Sequence, residues 1–379
     1  MWFPMSHPSK TTRLISLDAF RGAVVAAMIL VNSPGTYRAV YSQLRHAEWN
    51  GWTCADCVFP FFLFIVGVST TFSISRRKHR GDGNMDWERS FLRRFLILFG
   101  LGLFVSSYPI FHLSTLRIPG VLQRIAICYL VASFIVLRTG IRAQVFWTFG
   151  ILVSYWLMLE FVPVPGIGAG VLEPGRNFAA WFDSLLLSNG HMWSHYGTWD
   201  PEGIASTIPA ISTTLFGSLT GRWLLSARSR GEKTRWMFVA GLALVVLGMI
   251  FAMRLPVNKG VWTSSYAVFT AGGALTWFAA FYWLIDVKGY ARWAKPFKIF
   301  GMNAITIYVL SEILDTTFRF IRFTDAAGAN RSLRSHLFRR CFEPLMSLEN
   351  ASLCFAVAYV LLMFLVAWFM WKKQWFVKI

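Results

Sequence analysis

The stretch His46–Gly67, HAEWNGWTCADCVFPFFLFIVG, decides how this chain must fold. Its second half is an uncharged run of Phe, Leu, Ile and Val of the kind that enters hydrocarbon as a helix. Its first half places His46, Trp49, Asn50, Trp52 and Asp56 immediately before that entry, so polar chemistry is set at the edge of a membrane.

The rest of the chain agrees with a membrane setting. Of 379 residues, 55% are hydrophobic, 17% aromatic and only 15% charged, and the mean hydropathy is +0.49, too apolar for a soluble globular domain of this length. A span needs about 20 apolar residues in helix, and about ten such runs centre near Val24, Phe64, Leu98, Cys128, Leu152, Ser212, Leu242, Leu275, Ile305 and Leu362. The expectation is an all-α polytopic membrane helix bundle of about ten transmembrane helices, one domain over residues 1–379. The N-terminal MWFPMSHPSK has no small-residue cleavage site, so the first apolar run reads as a retained helix. Val162–Glu202 and Thr317–Asn350, the longest extramembrane segments, read as loops rather than modules.

Basic residues orient the bundle. Arg76, Arg77, Lys78, Arg80, Arg89, Arg93 and Arg94 follow the second helix, Arg222, Arg228, Arg230, Lys233 and Arg235 follow the sixth, and Lys372, Lys373 and Lys378 close the chain. These sides should be cytoplasmic, which places both termini inside and the odd-numbered connections outside, among them the one carrying His46. One connection disagrees: Arg319, Arg322, Arg331, Arg334, Arg339 and Arg340 fall in the ninth, which the count of spans puts outside. The net charge of +19 reads as topology and contact with anionic lipid, not as a nucleic-acid surface. In RLISLDAFRG, Asp18 and Arg21 are three apart and read first as a helical ion pair, with Arg13 and Arg21 the kind of arginines that meet an anionic metabolite as the sharper alternative.

The outer connections carry most of the candidate chemistry. Asn32 ends the first helix, Arg117 and Arg124 bracket the start of the fourth, Asp200 and Glu202 open the sixth, Asn258 and Lys259 precede the eighth, and Glu312 lies near the outer end of the ninth. Arg117 reads as a flanking cation and the two carboxylates as complements to a helix dipole. Arg124 sits inside its helix and needs an anionic partner, for which Glu202, Glu312 or a bound phosphate would serve. His46 reads as a general base held by Asp56, since imidazole titrates near neutrality, with a structural loop histidine as the plainer alternative. No HExxH or GxSxG is present, and the five cysteines have no second CxxC at zinc spacing, so no metal is expected. Cys54 and Cys57 suit packing better than a disulfide.

Taken in order, RLISLDAFRG, Val31–Asn32, HAEWNG, ADCVFPFFLFIVG, RIPGVLQR, WDPEGI, PVNKGVWTSSY, DVKG at Asp286–Gly289 and GMNA at Gly301–Ala304 make the chain resemble the heparan-alpha-glucosaminide N-acetyltransferase family from about Arg13 to the last helix. The resemblance implies a transmembrane acetyltransferase that moves acetyl from cytoplasmic acetyl-CoA, a cosubstrate, to the amino group of a glucosamine-type sugar on the far side. It implies His46, Asn32 and Asp56 as the catalytic set and a homodimeric assembly. Around them, Trp49, Asn50, Glu202, Asn258 and Glu312 are candidate sugar contacts, and Arg124, Lys288 and Asn303 candidate acetyl-CoA contacts.

The chain departs from the family pattern in three places. It lacks the extracytoplasmic domain that precedes the first helix in the lysosomal enzyme, its Asn32–His46 loop is longer, and Cys54 and Cys57 replace apolar positions. A short bacterial-type member in the inner membrane is therefore expected, acting on a free amino sugar with periplasmic access. An O-acyltransferase of envelope glycans and an amino-sugar or lipid-linked-sugar transporter are the competing classes.

Overall fold

The computed structural model describes residues 14–377 apart from 81–83, 194, 325–327 and 329. Arg13, Lys378 and the MWFPMSHPSK segment lie outside the described residues. The chain is an all-helical bundle, as its composition requires. Its helices are α1 (Ile15–Asn32), α2 (Cys54–Arg80), α3 (Asn84–Ser107), α4 (Val121–Arg138), α5 (Ile141–Phe161), α6 (Phe178–Leu186) and α7 (Ile204–Leu224). They continue with α8 (Arg230–Ala252), α9 (Ser264–Tyr282), α10 (Lys295–Met302), α11 (Ala304–Phe320), α12 (Leu333–Cys341) and α13 (Leu348–Lys372).

A helix stands at each of the ten positions expected to span. Among the described residues, eight are long and apolar enough to cross a membrane alone: α1–α5, α8, α9 and α13. The ninth crossing is a broken one, α10 and α11 meeting at Asn303 with a bend of 81°. The sequence pattern shows only a continuous apolar run there. At the break the Asn303 amide donates to the Trp375 carbonyl at 3.0 Å, and its carbonyl oxygen accepts from the Val377 amide at 3.1 Å, so the C-terminal tail closes over the bend. The remaining helix, α7, is rich in Ser and Thr and hence less apolar, but it lies in the centre of the bundle, where hydroxyls such as Thr220 Oγ1 bond carbonyls four residues back.

Lipid supplies no hydrophobic drive for helix association, so close approach at small residues has to supply it. A Cβ on Gly67 would lie 1.8 Å from the Thr214 carbonyl oxygen, and one on Gly217 would lie 1.9 Å from that of Phe64, so α2 and α7 touch backbone to backbone. Gly22 and Gly301 do the same for α1 and α10. The lipid side of the bundle is carried largely by α3, α5, α8 and α13, which expose Leu96, Phe146, Val153, Leu242, Val246 and Leu365.

The two long connections expected as loops have structure of their own. The fifth holds a two-residue-per-strand hairpin (β1, Leu172–Glu173; β2, Arg176–Asn177) and α6, while the ninth holds β3 (Arg322–Thr324), β4 (Asn330–Ser332) and α12. Arg319 and Arg334 both pair with Asp315, and Arg334 also donates to the Pro34 carbonyl. The basic ninth connection therefore lies beside the connection that carries His46, on the side that counting spans assigns to it. At the opposite end Arg21 pairs with Asp18 at 3.3 Å, the local ion pair its spacing suggested, and reaches Ser69 on α2.

Candidate active site

The site begins with a helix cap. Thr53 precedes α2 and Asp56 lies in its first turn, so the Asp56 Oδ2 accepts the Thr53 backbone N–H and hydroxyl, both at 3.1 Å, and the Ala47 N–H at 3.0 Å. The helix dipole favours a carboxylate in that position, and Asp56 is fully buried. With Oδ2 holding the cap, Oδ1 is left for His46, whose Nδ1 lies 2.7 Å away. An Nδ1–H donated to Asp56 leaves Nε2 as the ring's acceptor, and the imidazole is 45% exposed.

Three other connections close around this pair. Asn258 on the seventh donates through Nδ2 to Asn50 Oδ1 at 3.0 Å, and its own Oδ1 accepts from the Val261 N–H at 3.1 Å. Thr263 ties the same loop together through Pro256 and Asn258, and Trp262 adopts a left-handed φ of 50°, so the segment is a rigid template. It places the Lys259 Nζ 3.1 and 3.3 Å from the two ring nitrogens of His46 and 3.5 Å from Asp56 Oδ1. Trp49 donates to the Leu172 carbonyl at 2.6 Å and meets Trp199 edge-on at 4.9 Å, which joins the fifth connection to the first.

The fifth connection also meets the third. Arg117 clamps Asp200 through two nitrogens at 2.6 and 2.8 Å and reaches Glu202 at 2.6 Å. Arg117 is thus no mere flanking cation, and Asp200 and Glu202 do more than complement a helix dipole. Burial alone would raise the Glu202 carboxyl, but the charges of Arg117, Arg124 and Lys259 hold it below its ordinary value. Burial opposes the charge on Arg117, yet the hydrogen bond to Asp200 and the charge of Glu202 raise its pKa. Lys259 goes the other way: burial pushes its ammonium below the usual lysine range by more than Asp56 and Glu202 restore.

The other expected residues divide into two groups. Asn32 Nδ2 lies 3.5 Å from Glu312 Oε1, so those two meet on the outer end of α1 and α11. Arg124, fully buried, bonds the Gly203 carbonyl and the hydroxyls of Ser206 and Thr207, and its guanidinium lies 4.9 Å over Trp262. Its hydrogen bonds go to neutral oxygens at the start of α7 and its face to an indole, which solvate the buried cation, while Glu202, one of the anionic partners expected, meets it through charge alone. Lys288 and Asn303 lie apart from this constellation, at the far end. Lys288 is exposed over the Trp283 ring, and Asn303 is engaged by the C-terminal tail. Cys54 and Cys57 are free thiols. Lys259 was visible in sequence only as a cation on an outer connection; 213 residues separate it from His46, and no local spacing reports such a contact.

The residues matched by the family described as heparan-alpha-glucosaminide N-acetyltransferase, catalytic, run from 13 to 249, well over half the chain. The chain belongs to this family. It is 33% identical to the heparan-alpha-glucosaminide N-acetyltransferase of Mus musculus over 84% of this chain and 56% of that protein. It is 34% identical to the Homo sapiens protein of the same name over 81% of this chain and 54% of that protein. A shorter likeness, 25% identity over 45% of this chain and 28% of the relative, is to a cytochrome c-type biogenesis protein CcmF of Pseudomonas fluorescens. The chain spans about half the length of the heparan-alpha-glucosaminide N-acetyltransferases it matches. Family and helices together make it a multi-pass membrane protein.

Proposed function

We propose that the chain is a transmembrane N-acetyltransferase that moves acetyl from acetyl-CoA to the amino group of a glucosamine-type sugar. One observation carries the proposal: His46 is oriented by Asp56 through a 2.7 Å hydrogen bond that leaves Nε2 as the ring's acceptor, on a side chain 45% exposed. In that role Nε2 takes a proton from the acceptor amine as the amine attacks the thioester carbonyl carbon. Asn32 would donate to the carbonyl oxygen as negative charge develops, and collapse of the adduct expels the CoA thiolate. The rings of Trp49 and the polar groups of Asn50, Glu202, Asn258 and Glu312 would hold the sugar.

For the donor, Arg124 is the interior contact, since its Nη1 has no hydrogen-bond partner among the described residues. Lys288, exposed at the far end, would meet CoA phosphates there, and Asn303 would hold the tail beside that entrance. Acceptor access is then periplasmic and donor access cytoplasmic, in a bacterial inner membrane, with one transmembrane acyltransferase domain per chain and a homodimer as the assembly. The supports for this orientation are the basic clusters at Arg76–Arg94 and Arg222–Arg235, opposite His46. Purified protein incubated with labelled acetyl-CoA and glucosamine should yield N-acetylglucosamine; absence of transfer to the amine would sink the proposal.

A further inference from the structure

Lys259 brings a primary amine to the place where an acceptor amine has to sit. Its Nζ lies 3.3 Å from His46 Nε2, the nitrogen left as acceptor when Nδ1 donates to Asp56, close to the reach proton transfer to a general base requires. The rigid Pro256–Thr263 loop holds it there, so the encounter is effectively intramolecular. We propose that Lys259 is a self-acetylation site, taking the acetyl group of acetyl-CoA when no acceptor is bound. The proposal rests on the reading that this site receives an acetyl thioester.

The step balances with the partners named. The Nζ lone pair attacks the thioester carbonyl carbon and an N–C bond forms. The C–S bond breaks and CoA leaves as a thiolate. The proton released from Nζ passes to His46 Nε2 and then to the thiolate, leaving CoA thiol and an Nε-acetyl-lysine. Attack requires the neutral amine, and burial favours that form at Lys259. The titratable and charged groups facing it are His46 from the first connection, Asp56 and Cys57 from α2, Glu202 from the fifth connection and Arg124 from α4.

Among the described residues, Lys259 contacts a histidine ring, whereas several other lysines have different partners. Lys233 donates to the Leu224 carbonyl, and Lys288, Lys295 and Lys372 lie over tryptophan rings. The product would be a neutral amide that no longer pairs with Asp56 and that fills the acceptor position, leaving a blocked enzyme. It is also a stable acetyl-protein, readily mistaken for an acetyl-imidazole intermediate.

The test is peptide mapping of the purified full-length chain after incubation with labelled acetyl-CoA alone. The expected result is a hydroxylamine-resistant acetyl group on Lys259 that is suppressed by added glucosamine. It should form about a hundredfold more slowly in His46→Ala, the share ordinarily due to a general base. Lys259→Arg should remove the label while leaving the other lysines as they were. If the same preparation acetylates glucosamine but Lys259 stays unmodified, or is labelled no faster than Lys288 and Lys372, self-acetylation is overturned and the proposed function stands. If neither sugar nor lysine gains acetyl, the acetyl-thioester reading falls and takes this proposal with it.

Discussion

The two ends of the bundle use the same kind of residue in opposite ways. At the far end, ion pairs are local or exposed, as for Arg21 with Asp18 and Arg138 with Glu88, and other cations complete helices: Arg222 donates to the Val136 and Thr139 carbonyls at the end of α4, Lys233 to the Leu224 carbonyl at the end of α7, and Arg230 to the Asp286 carbonyl beyond α9. Carbonyls left over at a helix C-terminus attract positive charge, so these contacts need no further purpose. At the outer end, cations face carboxylates delivered by distant connections: Arg117 meets Asp200 and Glu202, Lys259 meets Asp56, and Arg334 meets Asp315. Gathering charges from separate connections and helix ends is costly, and such a gathering is what the proposed chemistry accounts for.

That contrast can be broken most sharply at Arg117. Arg117→Ala leaves Asp200 buried without its counter-charge and should cost about 3–5 kcal/mol of stability, read as a large drop in thermal unfolding temperature in detergent. Arg222→Ala at the far end removes contacts to helix-end carbonyls and to the Gln144 Oε1, with no carboxylate left unpaired, and should cost about 1–2 kcal/mol, with kcat unchanged. Equal losses for the two would erase the distinction. Lys288→Ala should raise KM for acetyl-CoA by roughly two- to fivefold at low salt with kcat intact, an exposed charge being worth about 1 kcal/mol or less. A fall in kcat would instead bring Lys288 into the chemistry.

The smallest effect is a pH dependence. Glu202 is held below its ordinary 4.5, so the stability it contributes is complete above that pH and drains away as pH falls below it. Thermal unfolding followed from pH 6 downward should show an acid limb that flattens in Glu202→Gln. An unchanged limb would assign acid sensitivity elsewhere.

Much of the bundle was legible in the sequence because bilayer thickness imposes one helix length on every crossing, and α7 was found by its length and flanks despite its hydroxyls. The break at Asn303 was not, since it depends on tail residues more than 70 positions away. At the site, the ten-residue spacing of His46 and Asp56 within one motif made their pairing readable. Lys259 and the partners of Arg124 were not readable, because they arise where separate connections pack together.

The account rests on His46 as the base at the outer end. Its most direct test compares wild-type and His46→Ala protein, both folded by thermal unfolding, for turnover of labelled acetyl-CoA with glucosamine. The account predicts kcat lower by about 10²- to 10⁴-fold with KM for acetyl-CoA little changed. Turnover within a few-fold of wild type would contradict it.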